Sequence, residues 1–104
     1  MKSSISNQDF KKILFNSKSL LVRDLFFYYQ ENKCEISFIV SRKLGKAILR
    51  NQFKRRCRSL FMQMQQKQTK KIQLIIKPKK KLINNYSWIE LTRSFEEFYS
   101  KLGL

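Results

Sequence analysis

The apolar pattern of this 104-residue chain predicts an α+β fold, a small sandwich of one sheet with helices packed on it. Three observations carry that reading. Two segments, Lys46–Gln66 and Trp88–Lys101, repeat their apolar residues with the helical period. Two others, Leu20–Tyr29 and Ile72–Lys77, are near-continuous apolar runs short enough for strands. The elements follow one another as helix, strand, strand, helix, strand, helix, without the regular alternation of a doubly wound sheet. Residues 1–104 suffice for one domain with a modest core, and not for two.

The first helix is expected over Asn7–Phe15, burying Phe10, Ile13 and Leu14. Ser6 with Asp9 makes a loose capping box, and Ile5 and Phe10 occupy the positions of a hydrophobic staple. Leu20–Tyr29 reads as one strand covered on both faces. Its run Phe26, Phe27, Tyr28, Tyr29 must divide between those faces, because successive side chains alternate. Gln30–Lys33 is polar and turn-like. Glu35–Val40 then alternates, with Ile36, Phe38 and Val40 to one side, and the two runs read as an antiparallel hairpin with room for one extra short strand nearby.

The second helix should begin at Lys46 or Ala47 and reach about Gln66. At about 100° per residue, Leu49, Phe53, Cys57, Leu60, Phe61 and Met64 share one arc, while Asn51, Lys54, Arg55 and Arg58 fall opposite. Ile72–Lys77 is a strand ended by Pro78 and the Lys79–Lys81 run. Ser87 and Glu90 form a full capping box, with Tyr86 and Leu91 as the staple. The helix they open, Trp88–Lys101, aligns Leu91, Phe95, Phe98 and Leu102.

Charge points to the partner. The formal net charge is +16, from 23 Lys and Arg against 7 Asp and Glu. From Ile36 to Ile89 there is no carboxylate at all, yet fifteen of the cations lie there, eight of them within Ser41–Arg58. Solvated helix faces normally mix signs, since opposite charges at i, i+4 support a helix. An unrelieved block requires external anions, and nucleic acid is the leading candidate. Lys43, Lys46 and Arg50 crowd a helix amino end that is already positive, which makes sense if phosphate sits there. Arg50, Lys54 and Arg58 then follow at i, i+4, i+8 beside Asn51 and Arg55, spaced for successive phosphates. Gly45, just before the helix, permits a sharp turn and the approach of another backbone.

Catalytic chemistry is harder to place. The chain has no His, the commonest general base and metal ligand. The carboxylates Asp9, Asp24, Glu31, Glu35, Glu90, Glu96 and Glu97 lie toward the two ends of the chain and show no spacing for a two-metal site. No Walker loop or nucleophile elbow occurs. Cys34 and Cys57 are read as free, inert thiols in a reducing compartment. The start of the chain shows no secretory apolar region, and Leu20–Tyr29 is too short to span a bilayer, so the expectation is a cytoplasmic protein.

Val40–Arg58, VSRKLGKAILRNQFKRRCR, resembles the signature of the bacterial ribonuclease P protein subunit. The likeness continues in Asp9, Phe10 and Ile13, in Arg23 and Tyr28, in Ile72–Pro78 and in the placement of the last helix. The resemblance implies the order α-β-β-β-α-β-α and a left-handed βαβ crossover, contrary to the usual hand. It implies that Arg42, Lys43, Lys46, Arg50, Asn51, Lys54, Arg55 and Arg58 bind the catalytic RNA of a ribonucleoprotein endonuclease that processes tRNA. A cleft between that basic helix and the sheet, with Phe10, Tyr28 and Phe15, would take the 5′ leader of precursor tRNA. Hydrolysis would belong to the RNA, with Mg2+ held mainly by it and none by the protein alone, and no protein partner would be required. Two departures stand out: Gln52 replaces the third residue of an Arg-Asn-Arg trio, and Leu14 stands where the family has a second phenylalanine, with Phe15 one position later. A ribosomal or RNA-chaperone protein would fit the composition equally, and only this motif separates the two. A peripheral membrane protein would need an exposed apolar stripe.

Overall fold

A computed structural model describes residues 7–31, 33–82 and 86–104. Helix α1 (Asn7–Asn16) leads into strands β1 (Lys18–Val22), β2 (Leu25–Glu31) and β3 (Glu35–Phe38). A single 3-10 turn, Arg42–Leu44, precedes helix α2 (Ala47–Gln66), strand β4 (Ile72–Pro78) and helix α3 (Trp88–Lys101). The four strands form one mixed sheet in the order β1-β2-β4-β3. β1 and β4 are antiparallel to β2, and β3 is parallel to β4. α2 therefore carries the chain over from β3 to its parallel neighbour.

The expected pairing of Leu20–Tyr29 with Glu35–Val40 is corrected here. The long apolar run is itself a hairpin: it folds back at Arg23 and Asp24, with Val22 opposite Leu25 and Ser19 opposite Tyr28. Arg23 takes a positive φ of 54° to make the turn. Nothing in Arg-Asp advertises this, because two-residue hairpin turns are usually marked by Gly or Asn. β2 then pairs with β4, and β3 is delivered to the far side of β4. The capping residue expected at Ser6 lies outside the described residues.

Alternation along the strands divides the interior in two. Phe27, Ile36, Ile72, Leu74 and Ile76 face α2 and α3, where they meet Phe53, Cys57, Leu60, Phe61, Leu91, Phe95, Phe98 and Tyr99. Phe27 stacks on Phe98 at 4.2 Å and meets Phe95 edge-on at 5.4 Å. Ile75 points the other way, toward α1, where Ile13 is buried on it and Phe10, Leu14, Tyr28 and Ile39 pack around them. β4 is buried along most of its length because it is a central strand with helices above and below, although its α1 face carries Gln73 and Lys77 on either side of Ile75.

Side chains hold the connections. The Gln65 amide near the end of α2 donates to the Tyr99 hydroxyl (2.7 Å), and its oxygen accepts from the Ile72 backbone N–H that opens β4 (3.4 Å). The Tyr86 hydroxyl donates to the Asp24 carbonyl (2.6 Å) and accepts from the Lys80 N–H (2.9 Å), tying the entry of α3 to the β1–β2 turn. At Ser87 the hydroxyl accepts from Glu90 N–H at 3.3 Å. The Glu90 carboxylate, however, goes to Arg23 (3.2 Å) and Arg93 (3.8 Å) rather than back to Ser87, so only half of the expected capping box forms.

Candidate nucleic-acid interface

The basic segment is assembled at the start of α2. Leu44 N–H bonds to the Ser41 carbonyl (3.1 Å) and closes the 3-10 turn that displays Arg42 and Lys43, both exposed. Gly45 is extended rather than turned. What it provides is room: a Cβ there would stand 3.3 Å from the Cβ of Leu82, and Leu82 N–H bonds to the neighbouring Leu44 carbonyl at 2.7 Å. A side chain at 45 would be tight there, and Leu82 would have to give by a few tenths of an ångström.

α2 starts at Lys46 with no side chain capping its free N–H groups and no acid in its first turn. Those N–H groups add to the field of Lys43 and Lys46, and the site is matched to an anion. Asn51, Arg55 and Arg58 are exposed and Lys54 is half-buried. Two of the predicted side chains are less free than their spacing suggested. The Arg50 Nε donates to the Gly45 carbonyl (3.2 Å), so Arg50 also braces the loop. The Arg58 guanidinium lies 5.2 Å from the centre of the Phe38 ring, stacked at the β3 edge of the sheet.

The aromatics predicted for a cleft lie elsewhere. Phe10 and Tyr28 meet on the α1 face of the sheet, whereas α2 packs with α3 on the opposite face. A cleft between the basic helix and the sheet therefore does not contain them; they pack around Ile13 of α1 and Ile75 of β4. Phe15 is 87% exposed at the end of α1 and lies apart from the Phe10–Tyr28 cluster. The one-residue shift from Leu14 turns its ring outward, while Leu14 takes the packed position.

Sequence reasoning missed other features of that face. Gln30 donates to Gln73, and Gln73 donates to Glu35, a polar row across β2, β4 and β3. Phe26 is half-buried with the Lys77 amine 6.0 Å from its ring centre, an aromatic beside a cation. Both depend on the register of β4 against β2 and β3, which joins residues far apart in the sequence.

A scan of protein families finds the Ribonuclease P model matching residues 4–103. This chain belongs to that family. The ribonuclease P protein component of Macrococcus caseolyticus is 32% identical over 96 residues, which span 86% of this chain and 80% of that protein. That of Caldanaerobacter subterraneus is 35% identical over 51 residues, 46% of this chain and 44% of the relative. The fold agrees as well. The Staphylococcus aureus ribonuclease P protein superposes with a TM-score of 0.79 at 23% identity, over 98% of this chain and 96% of that one. The Thermotoga maritima ribonuclease P protein gives 0.80 at 22% identity, over 96% and 97%. The α+β class and the mixed sheet expected from the sequence are those of this family, and the role that comes with membership is that of the protein component of a tRNA-processing ribonucleoprotein enzyme.

Proposed function

We propose that this chain binds the catalytic RNA of ribonuclease P and the 5′ leader of precursor tRNA, while the RNA performs the hydrolysis. Arg42, Lys43, Lys46, Arg50, Asn51, Lys54, Arg55 and Arg58 are the residues assigned to the catalytic RNA. Phe10 and Tyr28, on the other face of the sheet, are assigned to the leader, and so is Phe15, exposed at the end of α1 and apart from them. The observation that carries the reading is the uncapped, acid-free start of α2 inside the Ile36–Ile89 segment that holds no carboxylate. Phosphates supply the charge that segment lacks, and the protein spares the complex part of its magnesium requirement by neutralising them. Mg2+ is held mainly by the RNA and none by the protein alone, no other protein is needed, and the complex works in the cytoplasm.

Reconstitution with the cognate catalytic RNA at low magnesium tests this. Release of the leader from precursor tRNA should rise clearly above that of the RNA alone. Equal rates with and without the protein would reject the proposal.

A further inference from the structure

Trp88, the single tryptophan of the chain, opens α3 and remains 41% exposed. It borders a shallow hollow whose other walls are Gln52, Arg55, Arg56 and Ser59 of α2. At helical spacing these α2 residues form a strip that runs from the edge of the cationic face, where Arg55 belongs to both, round to the edge of the core face. Ile48 extends the strip and is 74% exposed.

The lining is suited to a nucleotide. An indole left open beside two guanidinium groups offers a plane for a base and charge for the phosphates on either side. None of the lining residues is a carboxylate, and the nearest acid in sequence, Glu90, is engaged by Arg23 and Arg93. Arg56 is oriented by a hydrogen bond from its Nη1 to the Tyr86 carbonyl (3.2 Å). Gln52 stands where the family signature carries arginine. An amide there removes a like charge between Arg55 and Arg56 and adds an acceptor to its donors, as reading a base edge requires.

We propose that this hollow holds one unpaired nucleotide of the catalytic RNA, its base stacked on Trp88 and its phosphates at Arg55 and Arg56. The inference rests on the RNA-binding reading above. The catalytic RNA is its source rather than the leader, because the hollow adjoins the basic face of α2 and lies across the sheet from Phe10 and Tyr28.

With one tryptophan, emission reports on this position alone. Adding the cognate catalytic RNA to the full chain should quench it, because a stacked base quenches indole. Trp88→Ala should weaken RNA retention on filters by roughly five- to a hundredfold, the range for one stacked base. Trp88→Phe should keep most of the affinity, with both variants melting near the parent. RNA retention without quenching, or a Trp88→Ala variant that binds like the parent, would overturn the subsite and leave the wider RNA reading standing. Quenching by a single-stranded leader oligonucleotide alone, or by raising protein concentration without RNA, would overturn the assigned occupant. Failure of the parent chain to retain RNA at all would sink both proposals.

Discussion

Burial pushes the Tyr99 hydroxyl up to about 12, against a weaker downward pull from the Gln65 amide. An acid raised above its ordinary value of 10.0 contributes stability in full below that value. The contribution is lost as pH rises from there toward 12, because the unfolded chain ionises first. The unfolding free energy should therefore fall by about 2 kcal/mol across that window. The measurement is the difference between the parent and Tyr99→Phe in urea unfolding at a series of pH values. The variant should be flatter. Among the basic residues, Lys54→Ala should weaken RNA binding and lower the salt slope by about one, without moving the melting temperature. Arg50→Ala should do the same to RNA binding but also cost about 1 kcal/mol, because its bond to the Gly45 carbonyl is lost. Thermal unfolding beside RNA titration separates the two cases.

At the scale of elements, the two long helices begin differently. α3 has its hydroxyl cap at Ser87, an acid in its first turn, and Tyr86 with Leu91 both buried around the start. α2 has neither cap nor acid. The start of α3 is built for stability, and that of α2 leaves N–H groups available to an anion. Ser87→Ala should accordingly cost about 1 kcal/mol in thermal unfolding and leave RNA affinity unchanged. A comparable loss of RNA binding would mean that the two helix starts do not have separate tasks.

For the whole molecule, the sheet separates two surfaces. α2 and α3 cover one face, with the cationic residues along the outside of α2, and α1 partly covers the other, where Phe10 and Tyr28 meet. Two RNA segments could thus be held at once without competing for one groove. With six to ten phosphates neutralised on the basic side, affinity for the catalytic RNA should fall by about 10³–10⁵ between 50 and 200 mM salt. A flat response in filter binding would remove the electrostatic account. No helix among the described residues is long and apolar enough to cross a membrane.

The helices and the basic segment were legible in the chain itself. Periodicity placed α2 over its observed range, the Ser87 and Tyr86 signals placed the start of α3, and the missing carboxylates marked the basic segment. Each of these is a local property, decided by neighbours three or four residues away or by composition. The hairpin at Arg23, the parallel pairing of β3 with β4, and the separation of Phe10 and Tyr28 from the basic helix came only with the tertiary structure. Strand pairing joins residues distant in sequence, and the turn at Arg23 and Asp24 lacks the glycine or asparagine that would announce it. The clasp of Arg58 on Phe38 and the hollow beside Trp88 likewise depend on which faces meet once those pairings are made.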